Sequence, residues 1–280
     1  LMITFSKIGE HGRLGNQLVQ YALLKSVSIK TGYKIFLPNL TERVWHGQKC
    51  LLKNFKLPSC NFDEVFAKHQ FCEKVPFCFD QSVFEVKEGT DFYGFFQHQK
   101  YYTDITKELR AEFELCDTLQ NFVNSYLSQY TKPTVSLHVR RGDASDGTNP
   151  VDAIWINDFS EGSFLQEYYT KALLVVPENC DILLFTGGSR EKNSGNMSDL
   201  EWCKKHFKDE RITFVDDLND IETFGVMKEC DYNITSFSST YSWWASFLNK
   251  NENIIASKTY YPTMTNIKAK DIYPDNWNLI

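Results

Sequence analysis

The chain has 280 residues and a formal net charge of −6, with 42% hydrophobic and 24% charged residues. That length supports one large domain or two smaller ones with a sizeable core. The acidic balance argues against a nucleic-acid binder, which carries a basic face, and no apolar run approaches the ~20 residues of a membrane-spanning helix.

Met2 to Phe5 reads as a short strand and Gly9 to Gly15 as a glycine-bearing loop. A helix is predicted from Asn16 to Lys30, with Asn16 as its N-cap and Gly32 as its stop. Tyr33 to Leu37 is the next strand, which completes a βαβ opening. Residues 38–130 carry many Phe and Tyr and a helix around Asp104 to Glu114, with no strand order legible. In strand 134–139, Val135, Leu137 and Val139 share one face, and Ser136, His138 and Arg140 the other. Ser163-Phe164-Leu165-Gln166 is a capping box that opens a helix ending before Pro177. Then follow a strand at Asp181–Phe185, a second box at Ser198-Asp199-Leu200-Glu201 and a strand at Ile212–Val215. A helix over 220–229, a strand over 231–236, a short helix after Ser239 and a strand at Asn253–Ala256 complete the chain. Strands alternating with helices predict parallel sheets covered on both faces. The expected class is α/β, with two Rossmann-like domains facing a cleft, 1–130 and 131–280.

The eight cysteines form no CxxC pair and no zinc spacing. They read as buried thiols in a reducing compartment. No signal peptide is visible, so a cytoplasmic location is expected. The sequons at Asn39, Asn196 and Asn233 carry little weight without a secretory signal. No metal site is expected: Asp216-Asp217 stands without further clustered carboxylates, and there is no Gly-x-Ser-x-Gly elbow of a serine hydrolase.

Three segments could carry chemistry. His138-Val139-Arg140-Arg141-Gly142-Asp143 places two guanidinium groups where a strand runs into a loop. Ligands bind there in open α/β sheets, and arginine forks match phosphate oxygens. Taken alone, the stretch also reads as a loop of solvated charges. Asp143 is expected to fix Arg141 or cap the loop. Gly12-Arg13-Leu14-Gly15-Asn16-Gln17 opens the first helix, where free N–H groups attract anions. Ser236-Phe237-Ser238-Ser239-Thr240 joins a strand to a helix, and its hydroxyls and N–H groups suit a phosphate. Trp243 and Trp244 beyond it read as core.

Together these segments resemble the alpha-1,2-fucosyltransferases of the soluble microbial type, over almost the whole chain. The residues that carry the resemblance are Gly12 to Ala22, Tyr93-Gly94-Phe95-Phe96-Gln97 with Lys100-Tyr101-Tyr102, His138 to Asp143, Tyr168 to Ala172, and Ser239 to Ala245. The resemblance implies a GT-B architecture, GDP-fucose as donor, no cofactor, inversion, and no required metal. It implies a galactose-terminated glycan as acceptor. Arg140 would bind the diphosphate with Arg141 in support, and His138 would lie near the nucleotide. Ser238, Ser239 and Thr240 would hold phosphate or ribose. Gly15, Asn16 and Gln17 would border the cleft, and Glu222 would read guanine.

Thr186-Gly187-Gly188 departs from the family's Ser-Asp-Asp, and Ser189 to Met197 reads as extra loop. That departure is the support for a rival, a non-catalytic module that binds GDP-fucose or glycan. A fucosyltransferase of alpha-1,6 or protein-O linkage is the other alternative. Glu10, His11, Asp158 and Glu161 are the open candidates for the base. No segment argues for peripheral attachment to a membrane that presents lipid-linked acceptor.

Overall fold

The computed structural model describes residues 1–63, 66–142, 145, 156–187, 198–260 and 267–280. They divide into two compact units: Leu1–Gln120 with Lys270–Pro274, and Asn121–Ala269 with Asp275–Ile280. The division falls inside the helix Asp117–Leu127, upstream of the 130/131 boundary expected from sequence.

The first unit opens with β1 (Met2–Thr4), α1 (Leu14–Thr31) and β2 (Lys34–Leu37). The predicted βαβ start is there, with one difference at the helix entry. The N-cap position is Arg13, which makes no side-chain cap bond, and Asn16 lies inside the first turn. Asn16 lies three residues past the cap position, and its Oδ1 accepts from Gln97 Nε2 at 2.7 Å. Gly32 ends the helix as expected: its φ is 75°, and its N–H donates to the Ser28 carbonyl at 2.8 Å.

A small antiparallel hairpin, β3 (Val44–Trp45) and β4 (Gln48–Lys49), stands apart from the sheet. β5 (Cys60–Phe62), β6 (His69–Cys72) and β7 (Thr90–Tyr93) complete a five-stranded parallel sheet in the order β5-β2-β1-β7-β6. The strands of this region, hairpin included, have two to four residues each. Alternation needs a longer run to register, so their order was not legible. The helices α2 (Thr106–Glu112) and α3 (Asp117–Leu127) follow.

The second unit contains β8 (Thr134–Arg140), α4 (Phe164–Val175), β9 (Asp181–Gly187), α5 (Asp199–His206) and β10 (Ile212–Phe214). It continues with α6 (Asp220–Glu229), β11 (Tyr232–Ile234), α7 (Thr240–Leu248), β12 (Ile254–Ala256) and β13 (Asn278–Leu279), while α8 (Ala269–Ile272) belongs to the first unit from Lys270 on. The strands pair in parallel in the order β10-β9-β8-β11-β12-β13. Counted within the unit, that is the 3-2-1-4-5-6 order of a doubly wound sheet. Val135, Leu137 and Val139 pack with Tyr168, Tyr169, Ile182, Leu184 and Trp202 on one face, as their alternation predicted. Ser136 and His138 on the other face are also buried, because the sheet is covered on both sides.

The caps explain where the helices begin. Ser198 and Glu201 form the full reciprocal box predicted for α5. Ser163 caps α4 from one side, accepting from the Gln166 N–H, while Gln166 Oε1 accepts from the Gly162 N–H rather than that of Ser163 and its Nε2 donates to Thr170. A third reciprocal box, Asn219 with Glu222, starts α6.

Each sheet has a point where its strand order reverses: β1 against β7 in the first, β8 against β11 in the second. Ligands of open α/β sheets bind outside the carboxyl ends of the strands at such points.

Candidate active site

At the reversal point of the second sheet, β8 ends in Arg140 and the segment after β11 leads into α7. Arg140 Nη1 donates to the Ser238 carbonyl and, at 2.9 Å, to Ser238 Oγ. Ser238 has a φ of 49°, a left-handed backbone that is rare for a residue with a side chain. That conformation turns its carbonyl toward the arginine and carries the chain into α7. Ser239 caps the helix, its hydroxyl accepting from the Ser242 N–H at 3.3 Å. Thr240 is the first helical residue and is half-buried. A guanidinium thus lies beside a helix N-terminus, a combination suited to an anion.

The loop is braced from below by side chains that sequence reasoning did not single out for this purpose. Ser236 Oγ accepts from the Arg140 backbone N–H at 3.0 Å and donates its own proton to Tyr169 Oη at 3.2 Å. Tyr169 Oη also donates to the His138 carbonyl at 2.8 Å. The Ser236 N–H donates to Ser242 Oγ at 3.2 Å. These bonds tie β8, β11, α4 and α7 at one point.

His138 shares its strand face with Arg140 and is buried. Burial, with the nearby Arg140 charge adding to it, pushes its pKa down to about 3. The imidazole is therefore neutral at pH 7. Among the described residues its Nδ1 has no hydrogen-bond partner, and its ring lies 5.8 Å from that of Tyr241.

Arg141 is placed elsewhere. Adjacent strand residues point to opposite faces, so Arg141 turns away from Arg140 into the packed side of the sheet. Its Nε meets Asp199 Oδ1 at 3.3 Å, and its Nη atoms meet the Ile156 carbonyl and Asn157 Oδ1 at 3.2 and 3.1 Å. Its guanidinium stacks over Trp202 at 3.9 Å. The other Asp199 oxygen accepts from the Gly142 N–H at 3.1 Å. Arg141, expected to support Arg140 at a diphosphate, is thus held on the packed side of the sheet by Asp199, Asn157 and Trp202. Asp199 holds the post-β8 turn. The only sequence signal for Asp199 was its place in the second capping box. Asp143, expected to fix Arg141, lies outside the described residues.

Glu222 is the third residue of its capping box, with Oε2 accepting from the Asn219 N–H at 2.9 Å. One of its carboxylate oxygens is therefore committed to starting α6 rather than to a base. Thr186 belongs to β9 and donates to the Val139 carbonyl at 2.9 Å. Gly188 and the extra loop Ser189 to Met197 lie outside the described residues.

In the first unit, Gly15, Asn16 and Gln17 form the first turn of α1. Gln17 is buried and braces two loops: Nε2 donates to the Gly12 carbonyl at 3.1 Å, and Oε1 accepts from the Leu51 N–H at 3.2 Å. Its carboxamide, expected among the substrate-binding groups, makes these bonds inside the protein. Gly15 is buried, and Asn16 is half-buried against Gln97.

Among the candidate bases, Glu10 pairs with Arg43 at 2.8 Å and Lys7 at 3.2 Å. Asp158 is exposed and accepts from the Ser160 N–H and hydroxyl, which lowers its pKa. Glu161 is exposed. His11 is half-buried among aromatic rings, and burial lowers its pKa. Among the described residues, no group of three or more His, Cys, Asp or Glu side chains is placed to hold a metal ion. No helix of the described residues is long and apolar enough to cross a membrane.

Comparison with known proteins gives these features a context. Residues 3–280 match the sequence model described as glycosyl transferase family 11. The alpha-1,2-colitosyltransferase of Escherichia coli is 27% identical over 301 aligned residues, covering 95% of each chain. The galactoside alpha-(1,2)-fucosyltransferase 1 of Sus scrofa is 22% identical over 278, covering 92% of this chain and 69% of that one. Among solved structures, POFUT1 in complex with GDP-fucose superposes with a TM-score of 0.53 at 10% identity, over 88% of this chain and 93% of that one. The fucosyltransferase NodZ from Bradyrhizobium superposes with a TM-score of 0.51 at 9% identity, over 87% and 92%. At these identities the likeness is one of fold, and the fold is the GT-B-like α/β class expected from sequence.

Proposed function

We propose that this chain, which belongs to glycosyl transferase family 11, moves L-fucose from GDP-fucose to the 2-hydroxyl of a galactose in a glycan acceptor. The transfer inverts the anomeric carbon and requires no metal. The observation that carries the reading is Arg140, held by Ser238 beside the N-terminus of α7 at the reversal point of the sheet.

Cleaving the fucose–phosphate bond builds an oxocarbenium-like sugar and puts charge on the departing β-phosphate. Arg140 and the α7 N–H groups stabilise that charge as it grows. Donors fixed in advance act strongly because they need no reorganisation during reaction. The neutral His138 borders the nucleotide, and the hydroxyls of Ser239 and Thr240 hold phosphate or ribose. The two named sequence relatives are both alpha-1,2 enzymes by description, which supports the 2-hydroxyl as target. The eight cysteines are all unpaired, which supports a reducing, cytoplasmic setting.

The Escherichia coli relative favours a second donor, GDP-colitose, in which the sugar is the 3-deoxy counterpart of fucose. The deciding experiment measures GDP release from GDP-fucose, GDP-colitose, GDP-mannose and UDP-galactose, with a panel of galactosides in EDTA. Release that is galactoside-dependent and strongest with GDP-fucose supports the first reading. Preference for GDP-colitose establishes the second. Binding of GDP-fucose without release under any acceptor would favour the non-catalytic module, and a metal requirement would remove the proposed mechanism. Linkage analysis of the product separates alpha-1,2 from alpha-1,6 transfer.

A further inference from the structure

We infer that His11, Trp45, Tyr93 and Phe95 form a stacking platform for the apolar face of a pyranoside, the acceptor sugar of the proposed transfer. The identity of that sugar rests on the functional reading above; the platform itself rests on geometry. His11 lies in the loop after β1, Tyr93 is the last residue of β7, and Phe95 follows it. β1 and β7 flank the reversal point of the first sheet, so the rings gather where such a sheet offers a ligand site.

The rings are aligned with one another. The His11 ring stacks on Phe95 at 4.5 Å and 20° and on Tyr93 at 4.8 Å and 26°. Trp45 meets His11 edge-on at 5.7 Å. It is presented by the β3–β4 hairpin, whose turn residues His46 and Gly47 have φ of 45° and 76°. Core packing accounts for the rings below this layer: Phe5, Phe92 and Phe96 are at most 1% exposed. It does not account for the upper layer, where Tyr93 is 41% exposed and His11, Trp45 and Phe95 are half-buried.

Buried polar groups hold the platform in place. Gln20, fully buried in α1, donates from Nε2 to the His11 carbonyl at 2.9 Å and to the Gly94 carbonyl at 3.3 Å. One side chain therefore ties the two ring-bearing loops together. Glu73 accepts from the Phe95 and Phe96 N–H groups at 2.8 and 2.9 Å. Gly94 has a φ of 148°, and a Cβ there would come within 2.4 Å of Glu73 Cβ. Only glycine lets the chain turn between Tyr93 and Phe95.

The chemistry of the rim points to a neutral sugar. The Glu10 carboxylate is offset by Arg43 at 2.8 Å and Lys7 at 3.2 Å, and Asn16 with Gln97 supplies amides next to the loop that bears Phe95. The burial that lowers the pKa of His11 keeps its ring uncharged at pH 7. A few aromatic faces with an amide rim match a pyranose, which carries C–H groups on one face and hydroxyls around its edge. In a β-galactoside, the axial 4-hydroxyl leaves the C3, C4 and C5 hydrogens together on one face.

The test uses the full chain and methyl β-D-galactopyranoside. Saturation-transfer NMR should mark H3, H4 and H5 of the sugar, and Tyr93→Ala or Trp45→Ala should abolish the signal. Tyr93→Phe and His11→Phe keep a ring and should keep it. In the transfer assay the alanine variants should raise the acceptor KM on the order of tenfold, the scale of one lost stacking contact. Their Kd for GDP, measured by calorimetry, should be unchanged. Trp45 sits on a surface hairpin, so its variant reads out even if Tyr93→Ala folds poorly. Absence of saturation in the wild type, or saturation and KM that survive both alanine substitutions, would overturn the inference. If transfer fails with every donor but ring-dependent galactoside binding persists, the functional reading falls and the platform stands.

Discussion

Arg140 and Ser238 are joined twice through one guanidinium nitrogen, to the serine carbonyl and to its hydroxyl, although they are 98 positions apart in sequence. The serine can receive both bonds because its backbone is left-handed. The arginine is thereby aimed before any ligand arrives. Preorganisation of this kind raises the effect of a charge on a transition state.

Arg140→Ala should lower kcat/KM by about 10²–10³, or ~2.7–4 kcal/mol, as for loss of one preorganised anion-stabilising donor. Arg140→Lys should recover little, since an ammonium cannot reproduce the planar fork. GDP release measures both, and near-normal turnover of the alanine variant would remove Arg140 from the mechanism.

Asp199→Ala should act on stability before activity. It deletes the carboxylate facing Arg141, in a pair whose side chains are 11% and 5% exposed. Removing one partner of a buried pair costs about 3–5 kcal/mol. Urea denaturation should show that loss, whereas a stable variant with only a raised donor KM would mean that Arg141 serves the ligand.

Ser238 separates backbone from side chain. Ser238→Gly relieves the left-handed strain and Ser238→Ala retains it, while both lose the hydroxyl bond to Arg140. The glycine variant should be the more stable of the two by ~1 kcal/mol. Thermal melts of the pair check this, and equal midpoints would mean that the backbone conformation is unstrained.

His138 gives a pH prediction. Its folded pKa of about 3 lies below its ordinary value of 6.5, so between these limits the unfolded chain binds more protons than the folded one. Stability from this residue is therefore full above about pH 6.5 and falls as pH drops toward 3. His138→Gln should flatten this part of the profile relative to wild type. Denaturation midpoints measured in both proteins across that range isolate the residue, and parallel profiles would show that His138 is accessible and ordinary.

Much of the fold was legible because its signals are local. The alternation of Val135, Leu137 and Val139, the Ser198 box and the Gly32 stop each act within a few residues. They turned out as read. Asn16 does not cap α1 because the helix begins two residues earlier, at Leu14, and its Oδ1 instead accepts from Gln97, 81 positions away. The resemblance implies a guanine-reading role for Glu222, and the local pattern of Asn219 with Glu222 three residues later is that of a helix start, which the structure shows.

Local patterns specify the class of the protein: alternating strands and helices, a parallel architecture, and an arginine pair at a strand end. Alternation also puts Arg140 on one face with His138, but it does not say what Arg141 meets, because the partners of a guanidinium group lie on other elements. Tertiary packing turned Arg141 onto Asp199 and Trp202 and left Arg140 at the end of β8 with Ser238. It likewise drew His11, Trp45, Tyr93 and Phe95 into one cluster from three separate segments. Periodicity and caps reach only about one helical turn along the chain, whereas a site is made of groups brought together by strand order.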